Sequence, residues 1–170
     1  FAHCPRQRGM MNAATHHRIA TPIGPVIIET DGKALILLEF DSIGHGAMST
    51  PRTGIAAEVT HQLDAYFAGK LTRFDLPLRT LGTPFQQKVW RALRSVPYGE
   101  TRSYGDIARE VDSAPRAIGG ACGANPIAII VPCHRITGSG DWIGGFSGAG
   151  GCATKQLLIE HEAAQGRLAI

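Results

Sequence analysis

Residues Ile127 to Val131 form an unbroken apolar run, and Pro132, Cys133, His134 and Arg135 follow it directly, placing a thiol, an imidazole and a guanidinium in succession. A run of this kind reads as a buried segment, so the fold has to carry a reactive type of side chain to the margin of its core. Neighbours in an extended segment point to opposite faces, so Cys133 and His134 make no direct nucleophile–base pair unless the chain bends at Pro132. Even with a bend, a bridging water is the more natural link between them. Burial raises a thiol's pKa, and a neutral thiol is a poor nucleophile. Reactivity then requires a base, which a histidine held by a carboxylate supplies; the closing stretch KQLLIEHEAA offers Glu160 and Glu162 as holders. For an arbitrary Cys-His pair the plainer reading is favoured: a small core filler beside a hydrogen-bonded surface histidine.

The opening FAHCPRQRGM lacks periodicity and reads as a flexible extension, taken here through residue 17. From Pro25, VIIET and KALILLEF flank Asp31-Gly32, a pair suited to the positive φ angles of a tight hairpin. A loop rich in Gly, Ser, Thr and Pro leads to Ile55, Val59, Leu63, Tyr66 and Phe67 at helical spacing before Gly69. LTRFDLPL, 71–78, then alternates as a strand does, with Pro77 suggesting an edge. Residues 18–80 therefore read as a ββαβ unit whose side chains advertise packing and no chemistry.

Residues 83–170 form the second unit. Thr83, Pro84 and Gln86 predict a helix opened by a capping box, with Phe85, Val89, Trp90, Leu93 and Val96 as its buried stripe. Ser103 and Asp106 predict a second capped helix over YGDIAREV, and a third begins near Pro115-Arg116, so two short helices across a tight turn make a helix-turn-helix candidate. The third helix carries Ala117, Gly119, Gly120, Ala121 and Gly123, with almost no side-chain bulk and poor intrinsic propensity. Close packing against the protein's own core and close approach to a nucleic-acid backbone or groove explain that thinness equally well.

The cysteines Cys4, Cys122, Cys133 and Cys152 match neither a disulfide framework nor paired zinc ligands, so reduced thiols are expected. His3-Cys4 and His16-His17 read as solvated neighbours, and neither a metal nor a cofactor is expected. A formal charge of +3 permits nucleic-acid binding without demonstrating it. No apolar run is long enough to span a membrane and no secretory signal pattern opens the chain, so a cytoplasmic, nucleoid-associated protein is expected.

Taken together, IVPCHR, TPFQQKVWRAL, PYGETRSYGDIA, RAIGGACGANPIA and KQLLIEHE, in that family's order over about residues 83–162, resemble the O6-alkylguanine-DNA alkyltransferases, the methylated-DNA–protein-cysteine methyltransferases. TPIGP and HQLDAYFAGKLTRFDLPL extend the likeness more weakly through the first unit. The resemblance implies an α/β fold: a small ββαβ, ribonuclease-H-like domain, then a helical domain with a winged helix-turn-helix. It also implies direct DNA repair, in which an alkyl group moves irreversibly from O6-alkylguanine, and by extension O4-alkylthymine, to Cys133, one protein molecule per lesion. The partner is double-stranded DNA, entered from the minor groove by a monomer that can cluster, with the damaged base flipped out of the stack.

Carried residue by residue, the resemblance makes His134 the base acting through a water, Glu162 its holder and Asn125 the buttress of the turn. Tyr104 then disturbs the flanking phosphate and protonates the departing base. Arg116 is the finger filling the vacated stack, with Ala117, Gly119, Gly120 and Gly123 as the slim groove face and Arg135 also assigned to DNA. Cys122, Val131, Phe146, Ser147 and Lys155 line or anchor the base pocket. The chain departs from the family in FSGAGGCATK, two residues longer than the usual loop and with Cys152 in place of a leucine. The Tyr104–Arg116 segment is about two residues shorter than in many relatives, Cys122 stands where some carry Met, and Phe146 replaces a Tyr. Two other readings stay open: an alkyltransferase-like protein that flags lesions without chemistry, against which Cys133 argues, and a cysteine hydrolase, for which no oxyanion-hole feature stands out.

Overall fold

The computed structural model describes residues 14–44, 46–140, 142–148 and 150–166. Its first unit is an antiparallel sheet of β1 (Thr15–Ile19), β2 (Val26–Thr30) and β3 (Leu35–Phe40) in that order, packed against α1 (Gly54–Phe67). β2 alternates cleanly, burying Val26, Ile28 and Thr30, while β3 buries Leu35, Leu38 and Phe40. The β2–β3 connection spans four residues: Asp31 Oδ1 accepts from the backbone N–H of Lys33 (2.9 Å) and Ala34 (2.8 Å), and of the Asp31-Gly32 pair only Gly32 has a positive φ, +83°.

Two sequence expectations for this unit are corrected. The extension ends before residue 15, because residues 15–17 are the first half of β1. The polar sequence THHRI conceals the strand, since it buries only Ile19; register with β2 holds it, with His16 opposite Glu29 and its Nδ1 3.1 Å from that carboxylate. The FAHCPRQRGM segment, with His3 and Cys4, lies outside the described residues. Second, 71–78 is not a strand. The Gln62 side chain takes the place of a ladder partner, donating to Asp75 O and accepting from Asp75 N, both at 2.9 Å. Pro77 has no N–H to give, and a single parallel bridge, Leu35 to Leu78, remains. The observed order is therefore βββα followed by a clamped loop, not ββαβ.

The second unit comprises α2 (Pro84–Arg94), β4 (Arg102–Ser103), α3 (Tyr104–Val111), α4 (Pro115–Gly123), β5 (Ile136–Thr137) and α5 (Cys152–Gly166). Both capping boxes form as the sequence predicts, Thr83 with Gln86 and Ser103 with Asp106. Asp112, at φ +55°, closes α3 in the left-handed region and turns the chain into α4. The two helices pack on each other and on α2, where the Trp90 indole donates to Ala121 O at 2.9 Å. β4 and β5 pair in parallel, Arg102 opposite Ile136 and Ser103 opposite Thr137.

The run Ile127–Val131 joins the two units. It is buried as its composition requires, but it is not a strand: Leu38 N donates to Pro126 O and Ala128 N to Leu38 O, stitching it to β3 by one bridge. Ile129 then takes φ +68°, a conformation that costs a β-branched residue about 1–3 kcal/mol. The fold accepts this local strain where the run turns toward Cys133–Arg135, a single 3-10 turn. No helix among the described residues is long and apolar enough to cross a membrane.

Candidate active site

Cys133 opens that 3-10 turn, its N–H donating to Val131 O at 2.8 Å and its side chain only 8% exposed. Asn125 fixes both ends of the preceding run: its amide donates to Val131 O at 2.8 Å and its carbonyl accepts from Ile127 N at 3.0 Å. Burial pushes the Cys133 thiol above its ordinary pKa; the Asn125 side chain, the Lys155 ammonium and the N–H groups of Cys133 and His134 oppose that rise without reversing it. The resting thiol is therefore neutral, and a base must remove its proton.

His134 is fully buried, and its Nε2 lies 2.8 Å from Glu162 Oε1. Burial lowers the imidazole pKa despite the carboxylate, so the ring is neutral near pH 7. A neutral ring facing an ionised carboxylate through Nε2 carries its proton there, which leaves Nδ1 with a free lone pair. That Nδ1 is buried and has no hydrogen-bond partner among the described residues.

Glu162, on α5, is the hub. Its Oε1 accepts from the Tyr66 hydroxyl (2.8 Å), His134 Nε2 and Arg135 Nη2 (3.0 Å), and its Oε2 from Gly99 N (3.1 Å) and Arg135 Nε (2.9 Å). Burial alone pushes such a carboxyl up, but the hydrogen bonds from His134 and Arg135, together with the Arg135 charge, overcome it and hold Glu162 at about 2. Gly99 can present its N–H this way because the PYGE turn gives it φ +77°.

Arg135 requires a correction. It is buried, clamps Glu162 bidentately and donates to Val96 O at 2.6 Å, so its guanidinium is spent on contacts within the protein and not on DNA. Its neighbourhood in the PCHR motif gives no hint of this, because a 3-10 turn sends successive side chains in directions that strand alternation does not predict. Sequence reading also missed the contribution of the first unit. Tyr66, counted in the apolar stripe of α1, reaches the hub through its hydroxyl; a buried tyrosine needs a partner, and that need was the available signal.

Of the remaining candidate pocket residues, Tyr104, Cys122 and Lys155 lie near Cys133. Tyr104 opens α3, its hydroxyl 3.4 Å from Gly145 O; burial and the nearby thiols of Cys122, Cys133 and Cys152 push its pKa up to about 12, so it keeps its proton. Cys122, on α4, is buried and likewise pushed up to about 12 by burial and by Cys133. Lys155 is 0% exposed, which a solvated surface lysine is not; its ammonium donates to Gly145 O (3.2 Å) and Tyr104 Oη (3.4 Å), pinning the loop. Burial lowers its pKa against the pull of the thiols. Phe146 packs edge-on to Phe40 of β3, with centroids 5.8 Å apart, and Ser147 lies exposed beside it. Trp142, 64% exposed in the segment between β5 and α5, has its ring 6.3 Å from that of Tyr104 and was not foreseen.

Arg116, Gly120 and Gly123 stand exposed on α4, with Ala117 and Gly119 partly so. A Cβ added at Gly119, Gly120 or Gly123 meets no atom within 4 Å. The protein's own core therefore does not require the glycines of α4, whereas Ala121 is buried in that core and its small size is a packing feature. Among the described residues, no group of three or more His, Cys, Asp and Glu side chains is placed to hold a metal.

Comparison with known proteins gives matches over both units. A family model described as "6-O-methylguanine DNA methyltransferase, DNA binding domain" matches residues 84–164, and one described as "6-O-methylguanine DNA methyltransferase, ribonuclease-like domain" matches residues 15–80. A methylated-DNA–protein-cysteine methyltransferase of Mycobacterium bovis is 46% identical over 153 residues, 86% of this chain and 92% of that one. Its counterpart in Methanosarcina acetivorans is 42% identical over 149 residues, 84% of this chain and 94% of that one. The crystal structure of Mycobacterium tuberculosis OGT in complex with DNA superimposes with a TM-score of 0.78 at 45% identity, covering 88% of this chain and 93% of that one.

Proposed function

The chain belongs to the 6-O-methylguanine DNA methyltransferase family, a DNA-repair methyltransferase that moves an alkyl group from DNA to a protein cysteine, and from that premise we propose that Cys133 is the acceptor and is consumed in one turnover. The observation that carries this reading is the buried Nδ1 of His134, without a hydrogen-bond partner among the described residues, next in the chain to a thiol that burial keeps protonated. The thiol proton passes to Nδ1 through a bridging water. The thiolate attacks the alkyl carbon as the carbon–O6 bond breaks, forming a thioether and leaving the electron pair on the guanine oxygen. Tyr104, still protonated, gives the departing base its proton, and the imidazolium returns one to restore the balance. Glu162, held ionised, keeps the imidazole in the right tautomer and stabilises its charged form. The same displacement serves O4-alkylthymine.

Because His134 is neutral at rest and its pKa lies below the ordinary histidine value, the transfer rate is expected to hold as pH falls through about 6.5 and to decline only below it. A rate profile on O6-methylguanine DNA with its acidic inflection at or above that value contradicts His134 as the base.

An alkylated guanine inside a duplex hides the reacting carbon, so the base leaves the stack at a cost of a few kcal/mol. In this reading α4 enters the minor groove, about 6 Å wide, as a monomer on nucleoid DNA, with Arg116 in the vacated space; the support is the open space around the α4 glycines. Gly120→Leu is expected to raise thermal stability slightly, by up to about 1 kcal/mol from helix propensity. The same change should weaken binding to undamaged duplex at least tenfold. Unchanged DNA affinity in this variant removes α4 from the interface.

The direct test follows a labelled methyl group from O6-methylguanine duplex under excess substrate. One label per protein molecule, bound and not released, supports suicidal transfer. Label released over many turnovers indicates a hydrolase, and label left in tightly bound DNA indicates a lesion-flagging protein.

A further inference from the structure

Behind the reactive turn lies a cleft of about 670 Å³, walled by Arg73 and Phe74 from the first unit and by Arg91 and Arg94 from the last turn of α2, with Tyr98 and Arg135 also lining it. Arg73, Arg91 and Arg94 are exposed, and none has a carboxylate partner among the described residues. One basic side chain satisfies the carbonyl end of a helix. Two there, lining one concavity with a third from another segment, concentrate positive charge that no described carboxylate offsets, and an anion among them gains from all three. Tyr98 lines the same wall, with its hydroxyl buried and without a hydrogen bond to any described group.

We propose that this cleft is a phosphate-binding site, separate from the α4 surface, that takes the phosphates of a nucleic-acid backbone or of a nucleotide-sized ligand. Guanidinium forks match phosphate oxygens in pairs, the volume falls within the range of small-molecule sites, and Phe74 and Tyr98 give it aromatic walls. The site stands on Arg73, Arg91 and Arg94 and holds whether or not Cys133 is the alkyl acceptor.

The test uses the full chain and inorganic tripolyphosphate, with sodium chloride at matched ionic strength as control. Tripolyphosphate is expected to raise the Tm of the wild type above the chloride control and to leave the R73A/R91A/R94A variant at it, while both proteins react at the same rate with free O6-benzylguanine. A wild-type Tm no higher than the chloride control, or an equal rise in the variant, overturns the proposal. A salt series with undamaged duplex then separates the sources. A slope of log affinity against log salt that is shallower in the variant by about 2–3, at 0.9 per phosphate contact, assigns the site to the DNA backbone. Equal slopes, with the Tm rise still lost in the variant, assign it to a free phosphorylated ligand.

Discussion

Cys133→Ala accepts no alkyl group from O6-methylguanine DNA, while its affinity for undamaged duplex stays within about twofold of the wild type and its stability within about 1 kcal/mol. Loss is total because no neighbouring thiol can substitute. Cys122 is buried and its pKa is pushed up to about 12, so at pH 7 it carries almost no thiolate. The Cys152 thiol is engaged elsewhere, donating to Gly144 O, 3.3 Å away. His134 and Glu162 remain in place but have no nucleophile to serve. DNA binding is expected to survive because Cys133 is buried and offers DNA almost no surface of its own. Single-turnover assays and anisotropy titrations on the same preparation measure both, and residual transfer by the variant shows that a second acceptor exists.

Glu162→Gln is expected to remove about 3–5 kcal/mol of stability and to slow transfer by about 10²–10⁴-fold. The amide keeps an oxygen for His134, but it turns a donor toward Arg135 and leaves that buried guanidinium without a counter-charge. The stability loss depends on pH. Glu162 titrates at about 2 in the folded protein against an ordinary 4.5, so its contribution is fully present above pH 4.5 and disappears as pH falls toward 2. That difference corresponds to about 3 kcal/mol. Urea melts of wild type and variant should therefore diverge at neutral pH and converge in acid. Tyr66→Phe is the companion: it removes one hydrogen bond to the same carboxylate while leaving its charge, and should cost only about 1 kcal/mol. A gap between wild type and Glu162→Gln that persists unchanged to pH 2 contradicts the ionised hub.

The starts of α2 and α3 were legible to the residue, because capping boxes are local: Thr83 with Gln86 and Ser103 with Asp106 specify their own geometry. β1 was not, because THHRI shows a solvated edge whose pairing is decided by β2, and neither was the fate of 71–78, decided by a glutamine thirteen residues earlier. The same division runs through the site. Cys133, His134 and Glu162 could be nominated from residue type and family likeness, and the fold brings them together. The inward turn of Arg135, the reach of Tyr66 from the first unit and the complete burial of Lys155 depend on contacts between distant segments, which no local pattern encodes. The glycines of α4 were ambiguous until the space around them could be seen to be empty of protein.

The central claim, a permanent thioether on one buried sulfur, is tested most directly by intact-mass spectrometry with peptide mapping after incubation with excess O6-methylguanine duplex. The account predicts that every protein molecule gains a single methyl group, carried by the peptide containing Cys133. An unchanged mass, or a methyl group mapped to Cys122, Cys152 or any other residue, contradicts it.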